Sequence, residues 1–261
     1  MTTSSANSDS EAGVRGTRDG PVVTVTLDRP DVLNAQTPAM WTELADISRK
    51  LPGDVRVVIV RGAGRAFSAG LDLSVARGHG DSSLAELARL SPDECAERIA
   101  GFQSAFTWLR RPSLVTIAAV HGHAIGAGFQ LALNCDMRVL AGDALFSMAE
   151  VSLGLVPDLG GTKRLAELVG PSRALEICLT GRRIDAAEAD RIGLATAVVP
   201  PNELDDAVAD LAAAVLAGPP AATAEIKALI AGASGRSYPD QDRAERDAQT
   251  RRLRDLAGLG E

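Results

Sequence analysis

Three short runs of apolar and β-branched residues constrain the fold of this chain more than any other feature of its sequence. They span residues 21–27, 55–60 and 114–120. The second and third are apolar almost throughout, which is typical of strands covered on both faces, because a strand with one solvated face alternates between apolar and polar residues. Segments of helical character lie between and after these runs, so the pattern predicts an α/β fold.

Capping signals predict where helices begin and end in the first half. Thr37-Pro38 predicts the start of one helix, and the capping box at 91–94 predicts another that ends before Pro112. The apolar stripe of this second helix consists of Cys95, Ile99, Phe102, Phe106 and Leu109. A short buried helix is expected at 129–135 with two strands after it, and the glycine-rich segment 77–83 is expected to be a mobile loop.

The second half of the chain is predicted to be mostly helical after Arg164. Helices are expected at 172–180, 186–192, 202–216, 223–230 and from about 240 onwards. Because two consecutive prolines cannot continue a helix, Pro200-Pro201 suggests a boundary. With the Ser/Thr-rich, acidic start of the chain, this predicts three parts: a disordered tail at 1–12, a core at 13–200 and a helical C-terminal segment at 201–261.

Composition argues against several classes of protein. The net charge is −7, whereas a nucleic-acid-binding protein would present a basic surface. No stretch approaches the roughly 20 apolar residues of a membrane span, so no membrane partner is expected. The three cysteines lie far apart without a CxxC pair, and the first residues have no apolar signal-peptide core. We therefore expect reduced thiols and a cytoplasmic location.

Common catalytic and cofactor motifs are missing from this sequence. The run 122–128 does not have the GxGxxG spacing of a dinucleotide site, no GxxxxGK[ST] phosphate loop occurs, and Ser68 lacks the GxSxG context of a hydrolase nucleophile. His, Asp and Cys residues do not stand at metal-ligand spacing, so no metal site is expected.

Two strand-to-helix junctions, 67–73 and 126–128, are built of small residues that leave the backbone accessible. Amide groups at the start of a helix have no helical partner and favour an anion or a developing oxyanion. Two of them from separate loops could hold one carbonyl oxygen. The alternative is that both junctions are tight turns that need glycine for close packing. Periodicity alone favours this alternative.

An ordered set of motifs resembles the crotonase (enoyl-CoA hydratase/isomerase) family over about 22–230. The segments that carry the resemblance are 27–35, 64–73, 121–128, 153–162, 180–181, 187–189 and 193–194. The resemblance implies a crotonase-type ββα spiral core with a C-terminal helical trimerisation segment, assembled as homo-trimers or dimers of trimers. It also implies an acyl-CoA substrate and no separate cofactor, because coenzyme A is part of the substrate.

The resemblance assigns roles to residues at both junctions. The family polarises the thioester oxygen with two backbone N–H groups, which fall here on Leu71 and Ala127. Negative charge develops on that oxygen when an enolate forms, so fixed donors act mainly on the transition state. The substrate pocket is expected to include Ala35, Ala69, Asp72, Leu73, His123, Ile125, Gln130 and Leu155.

The sequence departs from the family's hydratase pattern at two positions. A hydratase uses two glutamates to hold and ionise a water; one falls on Glu150, but the other position holds Gln130, whose amide cannot exchange a proton near neutral pH. Asp158 stands where the usual hydratase has glycine and resembles the acid of the family's double-bond isomerases. We therefore expect Glu150 as the main acid/base, Asp158 as the second, and isomerisation in preference to hydration.

Several alternatives stay open at this point. The chain could be a 2-enoyl-CoA hydratase, an acyl-CoA binder without turnover, or a dehalogenase-type enzyme with Asp158 as nucleophile, which the scarcity of aromatic residues disfavours. Glu150 could be a surface or structural acid, and Asp158 could be the N-cap of the helix that follows it.

Overall fold

The computed structural model describes residues 12–78 and 83–259. The predicted disordered tail, except for residue 12, lies outside these residues. So does the middle of the predicted mobile loop, at 79–82.

The order of elements alternates strands and helices in the first half and is mainly helical in the second. The strands are β1 (Val14–Asp19), β2 (Val22–Leu27), β3 (Val57–Gly62), β4 (Val115–Val120), β5 (His123–Ile125), β6 (Met137–Ala141), β7 (Leu145–Ser147), β8 (Ile184–Asp185) and β9 (Ala197–Val199). The α-helices are α1 (Pro38–Lys50), α2 (Leu73–Arg77), α3 (Leu84–Leu87), α4 (Pro92–Thr107), α5 (Ala127–Asn134), α6 (Gly161–Val169), α7 (Pro171–Thr180), α8 (Ala186–Arg191), α9 (Leu204–Ala217), α10 (Pro220–Ala233) and α11 (Tyr238–Leu256).

Most strands form one sheet in the order β1-β2-β3-β4-β6-β9. The β1–β2 pair is antiparallel, and every other pair in this sheet is parallel. A smaller sheet, β5-β7-β8, stands beside it. The predicted α/β class is confirmed, because parallel strands here alternate with helices that cover them.

Helices cover both faces of the larger sheet, as the apolar runs predict. Alternate residues of β3 and β4 face one core with α1, α4 and α5, in which Phe106 and Phe129 are fully buried. The intervening residues, such as Ile117, face a second core against Leu204 and Val208 of α9. Helix α9 therefore covers the sheet, although it follows the predicted boundary at 200.

Four strands were not predicted from the sequence. Three of them, β5, β8 and β9, are only two or three residues long, too short for periodicity to reveal. β1 contains Arg15 and Arg18 and has no apolar face. The two-residue loop Gly20-Pro21 between β1 and β2 nevertheless has glycine at its first position, which is a hairpin signal, and Gly20 has a φ of +52°. This dipeptide could have identified the first strand.

The C-terminal helices differ from the rest in burial. None of the side chains of α10 is buried, and Ala248 is the buried residue of α11. Within the described residues, no single helix has both the length and the apolar character to cross a membrane. The stretches 201–217 and 220–233 have that length and apolar character only when taken together, and the chain bends by 106° between them.

Candidate active site

The first junction is a turn whose backbone is fixed on both sides. Beyond β3 the chain passes Ser68, whose hydroxyl donates to the carbonyl of Asn34 at 2.8 Å and accepts from the Gly70 amide at 3.2 Å. The backbone of Gln36 then pairs with this segment: its N–H donates to the carbonyl of Gly70, and its carbonyl accepts from the N–H of Asp72. This pairing leaves the amide of the residue between them, Leu71, pointing away from Gln36.

The second junction brings another amide to the same place. Helix α5 begins at Ala127, two residues earlier than predicted, so Ala127 is its first residue and its N–H has no helical partner. A Cβ placed on Gly70 would lie 3.6 Å from Ala127 N and 2.5 Å from the carbonyl oxygen of Ile125. Glycine is thus required for the two junctions to meet. Among the described residues, neither the Leu71 amide nor the Ala127 amide has a hydrogen-bond partner.

Glu150 lies beside these amides on the short 3₁₀ helix Ala149–Leu153. A Cβ on Gly126 would be 3.2 Å from its Oε1, and that oxygen accepts from Gln130 Nε2 at 2.7 Å. Its Oε2 is buried and has no partner in the part of the chain that the structure describes. Burial raises the pKa of the Glu150 carboxyl above its ordinary value, and the charge of Asp158 raises it further. The alternative of a surface acid is wrong.

Asp158 lies in the segment before α6. The N-cap of that helix is Gly160, with a φ of +82° and no side-chain cap, so the alternative that Asp158 is the N-cap is wrong. Burial raises the pKa of the Asp158 carboxyl above its ordinary value. Two carboxyl groups of raised pKa therefore face one site, an arrangement suited to proton transfer near neutral pH.

A cavity of about 540 Å³ extends from these groups. It is lined by all four residues assigned to catalysis, Leu71, Ala127, Glu150 and Asp158. Five of the eight predicted substrate-binding residues also line it: Ala69, Leu73, Ile125, Gln130 and Leu155.

The other three predicted binding residues lie outside the cavity lining. Ala35 is buried, and its carbonyl accepts from Arg29. Asp72 caps α2, and the hydroxyl of Ser74 and the guanidinium of Arg29 lower the pKa of its carboxyl against the effect of burial. His123 lies in β5, and its buried Nδ1 has no hydrogen-bond partner among the described residues.

The cavity also contains residues that the sequence did not assign to a site. Trp41 of α1 and Phe102 of α4 line it, with their rings 4.9 Å apart, and the indole N–H of Trp41 donates to Gln36 at 2.8 Å. The stripe on α4 was predicted, but it could not be assigned to the cavity because the helix lies far from the glycine motifs along the chain. Phe67 and Phe129 are buried outside the lining.

Comparison with known proteins decides the family. The profile of enoyl-CoA hydratase/isomerase matches residues 17–255. The chain belongs to this family. The crotonase fold expected from the motifs is confirmed.

Individual relatives support the assignment of this chain to the crotonase family. A crystal structure of an enoyl-CoA hydratase homologue from Thermobifida fusca in complex with CoA is 50% identical over 95% of both chains, with a TM-score of 0.88. Another, in complex with acetoacetyl-CoA, is 49% identical over 94% of this chain and 96% of that one, with a TM-score of 0.89. The carnitinyl-CoA dehydratase of Salmonella arizonae is 38% identical over 83% of this chain and 79% of its own length.

Proposed function

We propose that this crotonase-family chain moves a carbon–carbon double bond along an enoyl-CoA thioester. The observation that carries the proposal is the pair of buried carboxyl groups, Glu150 and Asp158, over one largely apolar cavity. In the position where a hydratase has its second glutamate, Gln130 offers an amide whose Oε1 accepts from the amides of Leu159 and Gly161. An amide oxygen is too weakly basic to take a proton from water near neutral pH.

The proposed reaction is a proton shift between two carbons. The thioester oxygen of a 3-enoyl-CoA accepts from the amides of Leu71 and Ala127, and Glu150 removes a proton from carbon 2. The electron pair forms a dienolate whose oxyanion those amides stabilise. Asp158 delivers a proton to carbon 4, which gives the 2-enoyl-CoA, and proton exchange between the two carboxyl groups and solvent resets them. No separate cofactor enters the proposed reaction, because coenzyme A is part of the substrate and the two carboxyl groups carry the protons.

A matched set of variants tests this proposal. Glu150→Gln and Asp158→Asn keep the shapes of the side chains and remove the proton carriers, so each should reduce the conversion of 3-enoyl-CoA to 2-enoyl-CoA by about 10²-fold or more. The control is Ser152→Ala, since Ser152 lines the same cavity but cannot act as a carboxyl acid or base. Isomerisation that survives Asp158→Asn would remove the proton role proposed for Asp158.

Hydration of a 2-enoyl-CoA is the second candidate function. Relatives favour it by name, since several proteins similar to this chain are named as enoyl-CoA hydratases. In this case Glu150 would activate the water alone or with Asp158. Chromatography of the product separates the two reactions, because hydration yields a 3-hydroxyacyl-CoA. Binding of acyl-CoA with neither product would favour the non-catalytic alternative.

We also propose that copies of this chain assemble as trimers or dimers of trimers. The C-terminal half leaves large apolar side chains exposed on three helices. They are Leu175 and Leu179 of α7, Ile226 and Ile230 of α10, and Leu253 and Leu256 of α11. Burial of such patches in an interface is favourable. Analytical ultracentrifugation should give a molecular mass of three or six subunits, and Ile230→Glu should lower that mass towards the monomer. A monomeric wild type would contradict the proposal.

The cytoplasmic location is likewise a proposal. Cys95, Cys135 and Cys178 all fall within the described residues, and each is a free thiol. Free thiols persist in a reducing compartment. Fractionation of cells that express the chain would test this, and recovery outside the cytoplasm would contradict it.

A further inference from the structure

The turn that carries Asp158 is held by side chains from two other helices. Gln103 of α4 donates to the carbonyl of Asp158 at 2.7 Å. Gln130 of α5 accepts from the next amide, that of Leu159, at 2.8 Å, and from Gly161 N at 3.3 Å. Successive backbone groups of one short segment are thus bound by side chains that lie at least 29 residues away along the chain.

Asn134 and Arg110 complete the arrangement. Asn134 Nδ2 donates to the carbonyl of Leu159 at 3.1 Å and to that of Gln130 at 2.7 Å. Arg110, at the end of the 3₁₀ helix after α4, donates through Nε to Asn134 Oδ1 and through its terminal nitrogen to Gly160 O, both at 2.7 Å. Each of these bonds is within normal hydrogen-bond distance.

The same chain of contacts reaches Glu150. The amide oxygen of Gln130 is taken by backbone N–H groups, so its nitrogen must face the other way, where it donates to Glu150 Oε1. Close packing reinforces this orientation, because a Cβ on Gly161 would lie only 2.8 Å from Gln130 Cγ. Gln130 therefore contacts one carboxyl group directly and the backbone beside the other.

We propose that Arg110, Asn134 and Gln130 form a positioning chain that fixes the Asp158 turn relative to the Glu150 carboxyl group. Arg110 and Asn134 do not line the cavity, so they act through Gln130 and the backbone of the turn. The inference rests on the proposed function to the extent that both carboxyl groups take part in the reaction. A displacement of about 1 Å in such groups costs about 10² in rate.

Arg111 provides a matched control for Arg110. The two residues are adjacent, and each binds buried or half-buried groups through its guanidinium. Arg111, however, donates to the carbonyl and hydroxyl oxygens of Ser48 in α1, and among the described residues its side chain makes no bond with the Asp158 turn. Arg110→Met and Arg111→Met each remove one guanidinium and its hydrogen bonds, and although Arg111 is the more exposed of the two, the variants should differ in their effect on the reaction.

The test compares kcat, KM and thermal unfolding of both variants. Arg110→Met should lower kcat by about 10²-fold with KM changed less than about threefold, and Arg110→Lys should restore only part of the rate, because a lysine cannot reproduce two divergent bonds. Arg111→Met should keep kcat within about threefold. Equal kcat values for the two variants would overturn the proposal.

A second variant covers the case in which Arg110→Met does not fold. Asn134→Asp keeps an oxygen for Arg110 but replaces the donor to Leu159 O and Gln130 O by an acceptor. It should also lower kcat by at least tenfold, and unchanged kcat would overturn the proposal. Every rate is measured as a ratio to wild type on whichever of isomerisation or hydration the wild type catalyses. Failure of the proposed reaction is then seen in the wild type, and failure of the positioning chain in the ratios.

Discussion

The two ends of helix α5 hold acidic side chains in opposite ways. At its start, Glu150 is buried with one oxygen bound to Gln130 and the other without a partner among the described residues. Just after its end, Asp136 accepts from Lys227 Nζ at 2.7 Å and from the amide and hydroxyl of Thr116 at 2.8 and 3.0 Å. Lys227 also donates to two backbone carbonyls, which attaches α10 to the core.

The difference separates reactivity from stability. A desolvated carboxyl group without a cation has a raised pKa and can exchange protons near neutral pH, but it costs folding free energy. A carboxylate with a cation and further donors stabilises the fold and is chemically inert. Variants at the start of α5 should therefore change the rate, and variants at its end should change stability.

The largest effect is expected at the start of the helix. Glu150→Gln should lower kcat by about 10²- to 10⁴-fold, because the main proton carrier is lost, while the melting temperature stays the same or rises. Steady-state kinetics and thermal unfolding of the same preparation measure both. A fall in melting temperature with unchanged kcat would reverse the comparison.

At the other end, Lys227→Met should lower the free energy of unfolding by about 1–3 kcal/mol, because it leaves the half-buried Asp136 carboxylate without its cation. The rate per folded molecule should not change. Urea denaturation measures the stability, with Lys163→Met as the control. Lys163 is 77% exposed and pairs with Glu167 at 3.7 Å within α6, an arrangement that contributes only about 0.3–0.5 kcal/mol.

Gly70→Ala tests whether the two junctions must meet. Its φ of +88° and the 2.5 Å approach to Ile125 O leave no room for a methyl group, so the Leu71 amide should move away from the Ala127 amide. We expect a loss of about 10²- to 10³-fold in kcat. Gly53→Ala, in a turn where a Cβ meets no atom within 4 Å, is the control and should have kcat like wild type. Similar rates for both variants would contradict the role of the junctions.

The smallest effect concerns the pH dependence of stability. Because the folded-state pKa of Glu150 is raised, the folded protein binds this proton more tightly than the unfolded chain. Its contribution to stability is therefore fully present below the ordinary carboxyl pKa of 4.5 and is lost as pH rises through the raised value. Relative to Glu150→Gln, wild type should gain stability from pH 7 to pH 4 in urea titrations. A constant difference would show that the pKa is not raised.

Much of the fold could be predicted because its signals are local. The capping box at Ser91 is present as expected, and the parallel strands β3 and β4 follow from continuous apolar runs. The same holds for the glycine junctions, whose small residues mark where backbone amides are accessible. The apolar pattern failed for β1, whose charged residues give no apolar face; the strand pairs with β2, and the hairpin turn between them is its local signal.

The site was predicted less completely. Glu150 and Asp158 were identified by their places in the family motifs, but Trp41 and Phe102 were not assigned to the cavity. Arg110 carries no sequence signal at all, since its partner carbonyl, that of Gly160, lies 50 residues further along the chain.

The sequence by itself determined the class of fold, the family and the two turns whose amides are unpaired, because strand pattern, caps and glycines act over a few neighbouring residues. Only the tertiary structure decided which carboxyl groups share a desolvated cavity and which of them has a cation. Burial and hydrogen bonding depend on distances in space, and segments far apart in sequence supply them. For the same reason, two acidic residues near opposite ends of one helix acquire different chemistry.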